Sequence, residues 1–430
     1  MKRIVLTLSF CALFATAVFG QVNAPALSLA DAEKIALRQH PQIAQANYLT
    51  LAAQETVTET RAGYFPTASV FADAVAADEQ GTRITAGGLN NPIVYDRAAG
   101  GVQVNQLITD FGRTANLTAS SKYQAEAQTQ SGNQTREQVL LGVDVSYFDA
   151  VEAQAVLRVA KQTLDTRQTL LSQITALATN KLRSSLDVSF AQVEVRQAQL
   201  LVERAENDAD AAMATLSTAL GYREFHQFQL TDHPPATNAV TMDIDGLVQT
   251  ALSHRPELLS LRDDRDAAQH LARSQRDARL PTVDAVGVAG DAPWRNSHLQ
   301  SDYAVGGVQL SLPIFAGGYY VARQREAELK AAADDELLRS VENNVIRDVR
   351  IAWLDVSDAV AQLKTTEQLA ANAAEAFTLA HARYQAGLSS IVELSDAQLN
   401  LTSAQISEAN ARYNVLIQQA NLDYQTGLIQ

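Results

Sequence analysis

Across its 430 residues the chain has one cysteine, Cys11, and seven histidines, and it is short of basic charge, with 34 Lys and Arg against 48 Asp and Glu. After residue 20 no apolar run reaches the roughly eighteen residues that a membrane-spanning helix needs. Cys11 lies in the apolar stretch from Ile4 to Phe19 that follows Lys2 and Arg3, the layout of a secretory signal with cleavage expected after Gly20. A mature chain without it holds no disulfide and no thiolate metal site. Mid-run behind bulky Phe10, Cys11 is also a poor lipoprotein acceptor. Without Lys2 and Arg3 the balance is 32 basic against 48 acidic residues, net −16, which disfavours a nucleic-acid partner because phosphate binding needs a basic face. His40, His226, His233, His254, His270, His298 and His381 show no ligand spacing, and no phosphate loop, nucleophile elbow or zinc motif occurs. These absences argue against an enzyme, a metal and a cofactor. Any membrane insertion is expected through a β-barrel.

Proline is missing, and glycine scarce, from 113 to 180 and from 319 to 386, where Ala, Gln, Leu and Glu dominate. Each stretch reads as one helix, which at 1.5 Å per residue would span roughly 100 Å. A rod of that length needs partners of equal length. Helices predicted over 31–64 and 187–220 would match the first rod when stacked end to end, and 246–279 with 392–427 would match the second. Ser28 with Asp31 resembles a capping box at the first start.

What is present is a duplication. Ala36-Leu37 and Pro41 return as Ala251-Leu252 and Pro256, and Arg61 with Pro66-Thr67 returns as Arg276 with Pro281-Thr282, each 215 residues on. Further along the offset is 206, from Gly100-Gly101-Val102-Gln103 against Gly306-Gly307-Val308-Gln309 to Gly221 against Gly427. Two structural repeats are expected, 21–221 and 243–430, joined by a connector over 222–242 that contains Pro234-Pro235. In helix 187–220 the residues Ala191, Val195, Ala198, Val202, Ala205, Ala209, Ala212, Leu216 and Ala219 alternate spacings of four and three, a coiled-coil seam. In the second repeat this seam is interrupted by Glu408 and Gln418, while Ile406, Ala409, Tyr413, Leu416 and Ala420 form another stripe. Two stripes suit a tube wall; an ordinary antiparallel bundle needs one.

Strands are expected at 67–78, 99–107, 282–290 and 303–312, with Val102 and Val104 alternating against Gln103 and Asn105, and Val308, Leu310 and Leu312 against Gln309 and Ser311. About ten residues is the length of a tilted membrane strand. Phe65, Phe111, Phe315, Tyr319 and Tyr320 near the strand ends suit an interfacial girdle or plain packing. Loops 79–97 and 291–302 would face outward. Four strands cannot close a membrane barrel, so insertion requires an oligomer.

Set side by side, the duplicated Ala-Leu…Pro openings, Phe111-Gly112, Phe315-Ala316-Gly317-Gly318, Leu186-Asp187-Val188 with Ala191-Gln192, and Ala382-Arg383-Tyr384-Gln385-Ala386-Gly387-Leu388 resemble the TolC family of outer-membrane efflux proteins over essentially the full mature length. The resemblance implies a mainly α fold with membrane β: four strands per subunit in a twelve-stranded trimeric barrel, above a periplasmic α-barrel of twelve helices. It implies a homotrimeric exit duct in the outer membrane for tripartite efflux or type I secretion, working with a periplasmic adaptor and an inner-membrane pump. It places Glu393 and Asp396 at the tunnel entrance, where a threefold axis would gather six carboxylates and attract cations. Ser390 with Glu393, and Ser184 with Asp187, also read as capping boxes. Asp187 and Tyr384 match members of the polar network that closes the entrance. Lys181, Leu182, Arg183, Gly387, Leu388 and Ser389 match the adaptor-contact tips. The pattern departs at Ser389, where some members carry arginine, and at Lys181, which replaces the usual glycine of the first tip. The rival reading is a soluble periplasmic coiled-coil adaptor or scaffold, which would explain the helices but not the strand pairs.

Overall fold

A computed structural model describes residues 25–76, 85–86, 89–90, 95–231 and 243–429. The expected signal with Cys11, Pro234-Pro235 of the connector, His233 and most of the 79–97 loop lie outside the described residues. Helix α1 (Leu29–Gln39) and α2 (Pro41–Arg61) lead into strand β1 (Thr67–Val75), β2 (Arg97–Thr109), the rod α3 (Arg113–Thr179) and α4 (Ser185–Ala219). The same order follows with α5 (Ile244–His254), α6 (Pro256–Asp277), β3 (Thr282–Arg295), β4 (Asp302–Ser311), the rod α7 (Tyr319–Gln385) and α8 (Ile391–Thr426). Among the described residues no helix is long and apolar enough to cross a membrane.

The predicted helices 31–64 and 246–279 are each two helices. His40 and Arg255 stand before Pro41 and Pro256 with ψ of 126° and 122°, because the proline ring disfavours the helical conformation in the residue preceding it. The prolines then open α2 and α6, where a missing N–H costs nothing. These elbows receive the ends of α4 and α8. A Cβ on Gly221 would lie 3.0 Å from His40 Cα, and one on Gly427 3.2 Å from the Arg255 nitrogen, so only glycine permits the approach. Gln39 Nε2 donates to the Leu220 carbonyl at 3.1 Å and fastens the first junction.

The capping boxes are also revised. Ser184 Oγ accepts from Leu186 N, not from Asp187. Ser28 Oγ accepts from Asp31 N, but Asp31 takes the serine's own hydroxyl instead of reaching back to its backbone N–H.

The strands form one antiparallel meander in the order β1-β2-β3-β4. The third strand runs to Arg295, pairing with Arg97, so the expected loop 291–302 is shorter than its sequence suggested. Across the sheet Val70, Val102, Ala289 and Ala304 align, as do Ala68, Val104, Gly287 and Gly306; the alternate rows carry Thr67 with Asn105 and Ser69 with Gln103. One face is apolar along these rows; the other is polar in β1 and β2 but continues as Val286, Gly307, Val288 and Val305 in β3 and β4.

The helices continue the sheet as a ribbon four elements wide. On the half of α3 nearer the sheet, Gln128 and Ala127 meet Thr50 of α2 and Ser260 of α6. Nearer the far end, Lys161 pairs with Glu206 of α4, and Thr163 meets Thr402 of α8. The rod α7 closes the other side against α6 and α8. The alanine seam of α4 is buried or half-buried along its length. On α8, Tyr413 and Leu416 join the core around α3, whereas Leu422 joins the core around α7, so this helix has neighbours on both sides, as a tube wall requires. Fully buried side chains such as Leu140, Leu216, Leu258 and Leu394 each contribute about 1.5–3 kcal/mol.

Candidate functional site at the hairpin tips

The hairpins α3–α4 and α7–α8 turn at the end of the molecule far from the sheet, and their turns are built alike. In the first, Leu182 N donates to Leu177 O at 2.9 Å; in the second, Leu388 N donates to Arg383 O at 2.9 Å. Both are Schellman closures, which place one residue in the left-handed region. That residue is Gly387 at φ 74°, but Lys181 at φ 57° in the first tip, where a side chain costs about 1–2 kcal/mol. The leucines that follow project outward, Leu182 69% and Leu388 72% exposed, so each tip offers an apolar point to solvent.

Beneath the turns, Ile174, Ala191, Ala380, Tyr384, Ile391 and Leu394 form one apolar cluster drawn from α3, α4, α7 and α8. Tyr384 is 3% exposed, and its hydroxyl has no partner among the described residues. Burial pushes its pKa up; the nearby Asp187 carboxylate adds to this, and the Arg183 guanidinium opposes it. Arg183 lies 4.3 Å from the centroid of the Tyr384 ring and donates to the Tyr384 carbonyl. The structure places Asp187 near Tyr384 and adds Arg183, which the sequence groups with the exposed tip. A signal was available: Arg183 stands 206 residues before Ser389, so the arginine lacking in the second tip occupies the equivalent place in the first. Ser389 itself has a buried hydroxyl without a protein partner.

On α8 the Ser390 hydroxyl caps the helix by accepting from Glu393 N at 3.3 Å. The Glu393 carboxylate turns instead to Arg383 Nε at 3.2 Å. Both groups are about half exposed, so this pair contributes little to stability. Glu393 and Asp396 are both exposed, three residues apart in the same helix. The arrangement is a surface of mixed charge, Glu393 and Asp396 with Arg383, beside a packed apolar knot.

A sequence profile described as Outer membrane efflux protein matches residues 34–222 and 247–428. The chain is 25% identical over 397 residues to the outer membrane protein TolC of Escherichia coli, spanning 88% of this chain and 78% of that protein. It is 22% identical over 436 residues to the proteases secretion protein PrtF of Dickeya chrysanthemi, spanning 95% and 89%. Among solved structures it superposes on CusC, which forms a transmembrane channel, with a TM-score of 0.80 at 19% identity over 93% of this chain and 92% of that one.

Proposed function

This chain belongs to the outer membrane efflux protein family, and from that membership we propose that it works as a homotrimer whose helical tips meet a periplasmic adaptor and an inner-membrane pump. It is an outer-membrane exit duct, a β-barrel in the membrane continued by a helical tunnel in the periplasm. The family is one of channels, and we read the chain as a passive conduit with no catalytic step of its own. Its two structural repeats, 21–221 and 243–430, would each supply two strands and half the subunit's wall.

The observation that carries the trimer is the agreement of the open edges. Among the described residues β1 and β4 are unpaired on their outer sides, and an edge left in hydrocarbon costs several kcal/mol per unsatisfied group. The helices that continue these edges, α2 and α4 on one side and α7 on the other, expose apolar side chains, among them Tyr48 at 73%, Leu200, Leu337 and Leu354. One rotation that joins β1 to a neighbour's β4 also joins α2 and α4 to its α7. Three copies then give twelve strands around a lumen. Mass measurement in detergent with low-resolution imaging tests this; a monomer, or a particle without a central lumen, would sink it.

In such a ring Glu393 and Asp396 would contribute six carboxylates at the entrance, with Lys181, Leu182, Gly387, Leu388 and Ser389 as the adaptor-facing rim and Arg183, Asp187 and Tyr384 as the latch. Arg383 offsets part of the Glu393 charge, so Asp396 should dominate cation attraction. Asp396→Asn is expected to weaken divalent-cation block in single-channel recordings by roughly tenfold, and Glu393→Gln by less. Block unchanged in the double variant would count against the ring.

A further inference from the structure

Toward the end of the sheet away from the helices, the row Phe71, Gly101, Gly290 and Tyr303 crosses all four strands on the face that carries Ser69 and Gln103. The two central glycines leave space, and rings from the outer strands occupy it. Phe71 Cζ lies 3.1 Å from where a Cβ on Gly101 would stand, and the Tyr303 hydroxyl 2.5 Å from where one on Gly290 would. Further out on the same face, Arg97 donates through Nε and Nη2 to a single oxygen of Asp73, Oδ2, at 3.3 and 3.1 Å. Asp73 Oδ1 and Arg97 Nη1 have no partner among the described residues, and the two side chains are 38% and 40% exposed.

The turn between β3 and β4 is tied down beside this floor. Ala292 N donates to Ser301 O at 2.6 Å and Arg295 Nε to Leu299 O at 3.2 Å, while His298 stacks on Tyr95 with ring centroids 5.3 Å apart. Phe71, Asp73, Arg97, Leu299, Gln300 and Tyr303 thereby line one cavity of about 530 Å³, complete within a single chain. Both its size and its mixture of aromatic rings with a few polar groups are those of a small-molecule site.

We propose that this cavity binds a neutral sugar unit at the outer mouth of the duct. The inference rests on the duct reading for one point, that this end of the sheet lies outside the cell and this face lines the lumen. A pyranose presents C–H groups on its faces and hydroxyls around its edge. Phe71 and Tyr303 supply ring faces, apolar and weakly negative, against which such C–H groups pack. Asp73 Oδ1 accepts and Arg97 Nη1 donates side by side, which suits two neighbouring hydroxyls, and the Gln300 amide offers both functions. Because Asp73 and Arg97 cancel each other's charge, a singly charged ligand gains little, whereas hydroxyls gain charge-assisted hydrogen bonds from both. The tied turn leaves little to order on binding.

The test is calorimetry on the full-length protein in an amine-oxide detergent, which has no sugar headgroup. The probes are maltose and a dephosphorylated lipopolysaccharide core oligosaccharide. We expect at least one to bind with a Kd of about 1 mM or tighter. Arg97→Gln, and Tyr303→Leu, which keeps bulk over Gly290, should each weaken binding about tenfold. Trp294→Leu, near the same mouth but on the opposite face, should leave it unchanged. Gln300→Ala, in the exposed turn, should weaken it about threefold and carries the test if the strand variants do not fold. Maltose binding marks a free saccharide as the ligand; binding of the core oligosaccharide alone marks a surface glycan. Failure of both probes to bind, wild-type affinity in the folded variants, or tighter binding of phenylalanine or glucose phosphate than of either sugar overturns the proposal. A wild-type protein that is monomeric in detergent overturns instead the duct reading, and calorimetry still decides the site because one subunit builds all of it.

Discussion

Asp144 in α3 and Arg350 in α7 stand at equivalent positions, 206 residues apart, and meet opposite surroundings. Asp144 is buried where α1 crosses α3, and faces Glu33 closely enough to share a hydrogen bond, with Asp423 of α8 nearby. Burial, then the Glu33 charge and hydrogen bond, then Asp423, push its pKa up to about 7; burial likewise raises that of Glu33, with Lys34 and the Asp144 hydrogen bond opposing. Arg350 is exposed and pairs with Asp245 of α5 at 3.5 Å. One half thus carries a strained like-charge contact, and the other a solvated ion pair of little consequence. Equivalent frames tolerate such different chemistry because the packing of alanine and valine around each contact, not the charge, holds the short helix to its rod.

The largest expected effect breaks that contrast. Asp144 is about 3.8 when unfolded and about 7 when folded, so the folded form keeps a proton that the unfolded form has released. Its stabilisation is present at low pH and is lost as pH rises from near 4 to near 7. Hydrogen exchange of α1 should therefore speed up over that range while α5 stays unchanged. Asp144→Asn should flatten most of the slope, leaving the part due to the buried Glu33, and slow exchange in α1 at pH 8 by an amount on the order of 2 kcal/mol. Equal pH response in both helices would mean that the two contacts are electrostatically alike after all.

A second contrast lies at the tips. Arg183 crosses from the first hairpin to Tyr384 of the second, whereas the positions equivalent to these two, Ser389 and Ala178, carry neither a guanidinium nor a ring. The link runs one way. Arg183→Ala should loosen the tip by about 1.5 kcal/mol, read as more frequent opening in single-channel records. Arg183→Lys should keep part of it, retaining charge without the flat guanidinium.

The smallest effect concerns backbone. Lys181→Gly relieves a left-handed residue and should stabilise by roughly 1 kcal/mol, whereas Gly387→Lys should cost a similar amount; melting temperatures in detergent should move in opposite directions.

Much of the fold was legible because its signals are local. The lack of proline over 113–180 and 319–386 marked both rods, and the alternation at Val102–Asn105 and Val308–Ser311 marked two strands. Pro41 and Pro256 were read as markers of duplication rather than as elbows, since proline suits a helix start as well as a break. The tip residues were placed by resemblance, and so Arg183 was assigned by its neighbours in sequence. Its actual partner is 201 residues away. The Arg167–Glu194 pair could not be seen at all, because a buried arginine on an amphipathic helix looks like a solvated one until the neighbouring helix is set against it.

By itself the sequence determined the two long rods, the strand pairs and the acidic balance, since each follows from residue type and period along a single element. Only the tertiary structure decided which side chains meet across elements: Arg183 with Tyr384, Glu393 with Arg383, Asp144 with Glu33, Arg167 with Glu194. Those pairings depend on how two ridged rods settle against each other, and a shift of one helical turn, which leaves every periodicity intact, would replace all of them.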